Sequence, residues 1–111
     1  SLPGRPDFVL PDYRAIIFVH GCFWHRHHCH LFKMPATRTA FWMGKIDSNV
    51  ARDKRYIAEL TDGGWKVLLV WECSLRGKTR LEEQALSARL EEWICAAEGN
   101  GEIDEKGIHQ L

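Results

Sequence analysis

The sequence predicts an α/β fold, one mixed sheet covered by helices, and three observations predict it. Two apolar runs rich in β-branched and aromatic residues, 15–19 and 65–71, have the length and composition of buried strands. Two longer stretches, 37–61 and 78–98, place apolar side chains every three to four positions, as amphipathic helices do. With a short strand before them, the order is strand, strand, helix, strand, helix, which fits a single mixed sheet flanked by helices.

Each element follows from its residues. Ser-Leu-Pro-Gly-Arg-Pro-Asp opens the chain as a tight turn leading into a strand at 8–10, and Pro11-Asp12 turns the chain toward the strand at 15–19. Residues 20–30, crowded with His, Cys and Trp, show no period, so this loop must be held by something other than an apolar core. In the helix at 37–61 the apolar face is Phe41, Trp42, Ile46, Val50, Ile57 and Leu60, with Asp47-Ser48 marking a place to break; Gly63-Gly64 ends it. The run WKVLLVW then forms the next strand. The helix at 78–98 aligns Leu81, Ala85, Leu86, Leu90, Trp93 and Ile94, and places Cys95 on its buried side as an inert core thiol. Gly99-Asn100-Gly101 closes it, leaving a tail that is either a short edge strand or loose.

The 111 residues suffice for one domain, 1–111, and are too few for two. There is no apolar run of the roughly 18 residues a membrane span needs, and no signal peptide. The chain opens on Ser1 rather than Met, which leads us to expect that a segment is missing ahead of it. Its formal net charge is zero, so composition lends no support to nucleic-acid binding, which draws on phosphate neutralisation. Placement says more. Residues 33–55 carry six Lys/Arg against two Asp, and acidic residues gather after Glu82; one basic face and two solvated helices both fit.

Two of the four cysteines share a short stretch with five of the six histidines, which points to a metal in a reducing cytoplasm rather than to disulfides. Cys22, His27 and Cys29, with Cys73 just past a distant strand, make a Cys3His set of the kind that closes a structural Zn²⁺. His28 could replace His27; the alternative is a solvated histidine loop beside buried thiols. No HExxH helix marks a catalytic zinc. Elsewhere, Asp7 precedes one strand and His20 ends the next, so the two can meet at a sheet edge. An aspartate, a backbone carbonyl and phosphate oxygens suit Mg²⁺. His25 could accept a proton from an attacking water, an imidazole titrating near about 6.5 when unperturbed, and Asp53 could orient it. Equally, Asp7 could cap a turn, and His20 or His25 could be a zinc ligand. These residues alone give a metal-binding α/β domain with hydrolysis as one use.

The segments SLPGRPDFV, AIIFVHGCFWHRHHC, KMPATRT with the following FW, and GWKVLLVWEC carry a resemblance that runs from Ser1 to the end. Together they resemble the very short patch repair endonuclease family. The resemblance implies an enzyme that nicks DNA 5′ to the thymine of T:G mismatches left by deamination of 5-methylcytosine. It implies a restriction-endonuclease-like fold with a degenerate PD-(D/E)xK core, in which Pro6-Asp7 is the first half and Phe18-Val19-His20 stands where the second would be. Asp7 and the carbonyl of Val19 then hold Mg²⁺, His25 is the general base with Asp53 as its partner, and His20 assists. Val19 stands where the family carries Thr, a change that a carbonyl ligand survives. The same resemblance makes Cys22, His27, Cys29 and Cys73 the ligands of a structural Zn²⁺.

It also gives Phe23, Trp24 and Trp42 the task of wedging into the duplex beside the mismatch, where a mispaired step is cheaper to unstack. Lys45 and Asn49, four positions apart on one helix, match positions that read the wobble pair; an ammonium and an amide suit base edges. The implied partner is double-stranded DNA with a T:G mismatch, with mismatch-repair proteins by analogy, and the implied protein is a monomer on cytoplasmic, nucleoid DNA. The family's N-terminal region of some tens of residues is expected to be missing from this chain. Two rival readings remain: a zinc-stabilised module that binds mismatched DNA without cutting, and a nuclease with no mismatch preference.

Overall fold

A computed structural model describes residues 2–111. The chain forms β1 (Phe8–Leu10), a 3-10 turn (Pro11–Tyr13), β2 (Ala15–His20), α1 (Thr39–Asp62), β3 (Lys66–Trp71), α2 (Glu72–Leu75), α3 (Glu83–Ala96), β4 (Gly101–Asp104) and β5 (Gly107–Gln110). The five strands make one sheet in the order β1-β2-β3-β4-β5. β1 and β5 pair antiparallel with their neighbours at the two edges, and β2, β3 and β4 run parallel in the middle. The sheet is therefore mixed, as expected.

The two-residue period of the strands sorts the core into two layers. Ile16 and Phe18 of β2 and Val67, Leu69 and Trp71 of β3 pack with Leu60 of α1, with Ile57 beside them. The alternate residues, Ala15, Ile17, Leu68 and Val70, pack with Trp93 of α3 and Ile103 of β4. A helix thus covers each face of the central strands, which is why both read as unbroken apolar runs. Complete burial of Ile16, Ile46, Leu60 and Leu68 stabilises the fold by about 1.5–3 kcal/mol per side chain. Lys66 joins the layers at the lower end, its ammonium donating to the carbonyls of Trp93, Ile94 and Ala97 at 2.8, 2.7 and 2.8 Å. These carbonyls lie at the C-terminus of α3, where acceptors lack helical partners and a cation meets the negative end of the dipole.

The structure corrects several sequence expectations. α1 passes unbroken through Asp47 and Ser48, because both face solvent while Ile46 beside them stays on the buried stripe. α3 starts only at Glu83, later than periodicity suggests, since Leu81 N–H bonds back to Ser74 O and holds the preceding segment as a loop. Cys95 is exposed rather than buried; on α3 it is Trp93 that turns inward. The C-terminal tail forms two strands, and β4 lies inside the sheet, where a Cβ on Gly101 would come within 3.2 Å of the carbonyl of His109. No helix among the described residues is long and apolar enough to cross a membrane.

Candidate active site and metal cluster

Sites in parallel sheets collect beyond the carboxyl ends of the strands, and here His20 and Trp71 stand in register at the ends of β2 and β3. Next to them a cavity of about 620 Å³ is lined by Gly4, Arg5, Asp7, Val19, His20, His25, Arg52, Asp53 and Tyr56. Asp7 reaches it because β1 pairs beside β2: its N–H donates to Ile17 O at 3.1 Å, and its Oδ2 accepts the N–H of Val19 at 2.7 Å. The other carboxylate oxygen accepts no hydrogen bond among the described residues, and the side chain is exposed. Gly4 brings the chain in against α1. At φ 78° it sits where a Cβ would come within 2.9 Å of the Tyr56 ring and 3.1 Å of Phe18, so only glycine lets the following turn lie this close.

His25 comes from the loop and Asp53 from α1, and Asp53 Oδ2 pairs with His25 Nδ1. His20 lies flat against His25, with ring centroids 3.8 Å apart and planes 4° from parallel. It is 7% exposed, and its Nδ1 is buried without a hydrogen-bond partner among the described residues. Burial first, and the neighbouring His25 second, push the His20 pKa down to about 4. The ring is neutral at pH 7, with one nitrogen looking for a partner. Burial costs a charged imidazole its hydration, and a stacked second imidazole adds repulsion when both are protonated.

α1 supports the loop along one stripe. Trp42, Ile46, Asn49, Asp53, Ile57 and Leu60 follow at spacings of three or four, so they share a face. Leu60 and Ile46 are buried, whereas Trp42, Asn49 and Asp53 meet the loop. The Trp42 ring lies 5.8 Å from Trp24 and 5.7 Å from Phe23, and Phe23 and Trp24 meet edge to face at 5.1 Å. Asn49 donates to Trp24 O at 3.1 Å and accepts from Arg52 at 3.1 Å, so its amide holds the loop backbone. Trp24 is 44% exposed, an aromatic edge open to a partner. Lys45 lies exposed on the same helix. The sequence reading missed Arg5, Arg52 and Tyr56 in the cavity and the Arg26–Asp47 pair. Arg52 was within reach, lying three positions beyond Asn49 on the helix.

Cys22, His27, Cys29 and Cys73 converge, with one donor atom from each within 4.8 Å of the others. His27 Nδ1 lies 3.5 Å from both Cys22 Sγ and Cys73 Sγ. That matches the roughly 3.6 Å edge of a tetrahedron built with ordinary zinc–sulfur and zinc–nitrogen bonds. The four cysteines form no disulfide. Burial raises the Cys73 pKa to about 11 and pushes Cys22 up as well. As free thiols they hold their protons at neutral pH, and a metal bound there would displace them. His28 is not part of the group, and neither His20 nor His25 joins it; they cluster with Asp53 instead. The donor set fits a soft, four-coordinate metal.

A family model described as DNA mismatch endonuclease Vsr matches residues 1–31. The DNA mismatch endonuclease Vsr of Escherichia coli is 61% identical over 111 residues, covering 100% of this chain and 71% of its own length. The Type II nicking enzyme V.XorIIP of Xanthomonas oryzae is 48% identical over 82 residues, 74% of this chain and 60% of that protein. V.NmeAIP, a Type II nicking enzyme of Neisseria meningitidis, is 43% identical over 81 residues, 73% of this chain and 58% of that protein.

Proposed function

This chain belongs to the DNA mismatch endonuclease Vsr family, and on that premise we propose that it nicks one strand of duplex DNA, 5′ to the thymine of a T:G mismatch, using Mg²⁺. One observation carries the reading. Asp7, Val19, His20, His25 and Asp53 line a single open cavity at the carboxyl end of the sheet. In the proposed restriction-endonuclease-like fold, Asp7 and the backbone carbonyl of Val19 would hold the magnesium. The accessible Asp7 carboxylate suits a hard, hydrated cation. When bound, that ion supplies charge stabilisation at the phosphate oxygens.

The protein's own groups handle the proton. With Nδ1 paired to Asp53, the His25 ring presents Nε2 to the attacking water, and Asp53 stabilises the imidazolium that forms. A neutral His20 beneath it lets that second charge appear without a cation already in the stack. Phe23, Trp24 and Trp42 form the wedge beside the mismatch, with Lys45 and Asn49 toward the base edges. Cys22, His27, Cys29 and Cys73 would hold Zn²⁺, which would tie down the loop that carries Phe23, Trp24 and His25.

The test uses end-labelled duplexes, matched and T:G-mismatched, incubated with Mg²⁺ or EDTA. Nicking is expected only of the mismatched duplex with Mg²⁺, and Asp7→Ala should slow it by about 10³-fold, the scale of losing a charge-stabilising group, with bound zinc unchanged. Binding without nicking would leave a recognition module, and equal cutting of both duplexes would remove the mismatch preference.

A further inference from the structure

The β4–β5 hairpin, which the nuclease reading does not use, reaches the metal cluster from behind. His27 turns Nδ1 toward the thiols of Cys22 and Cys73, both 3.5 Å away, and Nε2 toward Asp104 Oδ2 at 3.7 Å. Both side chains are largely shielded from water, at 11% and 16% exposed. The other oxygen of Asp104 is committed to the hairpin, accepting the N–H of Lys106 at 2.8 Å and facing His109 Nε2 at 3.0 Å. That fixes the carboxylate with Oδ2 directed at the imidazole. The His27 ring is held flat against Trp71 at 4.3 Å, and the Trp71 indole donates to Glu102 Oε1 at 2.8 Å. A neighbouring contact laces the same two segments, His30 Nδ1 lying 3.3 Å from Glu105 Oε2.

We infer that Asp104 is a positioning residue of the metal centre: its carboxylate favours the proton on Nε2 of His27, which it faces, and so keeps Nδ1 bare and aimed at the ion. This rests on the reading that the cluster holds Zn²⁺. An imidazole binds a metal only through an unprotonated nitrogen, and a carboxylate on its far side fixes that tautomer and makes the donor more basic. Glu102, Asp104 and His27 also present donor atoms within 4.8 Å of one another. Glu102 Oε1 and Asp104 Oδ1 already serve Trp71 and the hairpin turn, so the group braces the imidazole rather than forming a second cation site. Alternation along β4 is what delivers the carboxylate. Ile103 turns toward α3, so Glu102 and Asp104 on either side of it turn toward the cluster.

The experiment measures zinc affinity by competition with a chromogenic chelator in the whole chain, in Asp104→Asn and in His109→Ala, with Cys29→Ser as the ligand-loss control. Asn keeps the oxygen that caps the turn but loses the negative charge facing His27. Asp104→Asn should bind zinc about 10- to 100-fold more weakly, with His109→Ala within about twofold of the parent, as expected if only the charge facing His27 matters. Visible spectra after Co²⁺ substitution should keep the tetrahedral band in the parent and His109→Ala and show it weakened or shifted in Asp104→Asn. Parent and Asp104→Asn binding zinc equally tightly would overturn the inference while leaving the zinc site standing. A parent chain that binds no zinc would remove the zinc reading itself.

Discussion

At the scale of single residues, His20 ties folding to acidity. Its ring is stacked on His25, and its pKa is lowered to about 4 by burial and by that neighbour, while in the unfolded chain it returns to about 6.5. Between those values the unfolded state holds more protons, so stability falls as the pH drops. The contribution is complete above about 6.5 and gone below 4, and the gap between the two values corresponds to at most about 3 kcal/mol. The urea midpoint should therefore decline from pH 6.5 to 4, and His20→Gln should flatten that decline. Two parallel curves would show that the burial of His20 does not carry it. His20 was visible in sequence as the last residue of a strand, and His25 as a candidate base. Their stacking was not visible, because residues in a loop without periodicity have no register from which to infer facing partners.

At the scale of elements, the strands were legible where turn residues bracket an apolar run. Phe8–Leu10 follows Pro6-Asp7, and Ala15–His20 lies beyond the Pro11 turn. α1 was legible by its stripe, and the expected break failed because helix polarity at Asp47-Ser48 marks only the wet side. The hairpin was not legible: Gly99-Asn100-Gly101 punctuates like a chain end, and Gly107 at φ 113° makes a turn that only the folded partner strand reveals. The grip of β3 on α3 yields a prediction at this scale. Lys66→Met removes an ammonium from three terminal carbonyls and should lower stability by about 2 kcal/mol, read as a lower denaturation midpoint at an unchanged slope. An unaltered midpoint would mean that water serves those carbonyls as well.

For the molecule as a whole, His25, Phe23, Trp24 and three of the four Cys/His cluster residues sit on a loop with little core of its own. Cys22 and Cys73 are buried with the α1-side core, and Cys29 and Leu31 pack against it. Stripping the metal with phenanthroline should lower the unfolding temperature by at least about 10 °C and change the near-ultraviolet signal of the tryptophans. Zn²⁺ should restore both, and Mg²⁺ should not, since thiolates select the softer ion. A chelated protein that melts like the untreated one would leave the loop held by packing alone. The Cys22–His27–Cys29–Cys73 cluster was legible because thiol and imidazole crowd a segment without a period. Asp104 was not, since an acidic residue near a chain end looks like any solvated one.

The stripe on α1 has a geometric consequence. Trp42 and Asp53 belong to the same rigid rod, about three turns or about 16 Å apart, so the spacing between the proposed wedge and the proposed proton-handling pair is counted in whole residues and cannot drift with loop motion. Inserting one residue between them would swing Trp42 about 100° around the axis while Asp53 stayed locked to His25. On the proposed reading the helix is a gauge, its length setting where the strand is cut relative to the mispair.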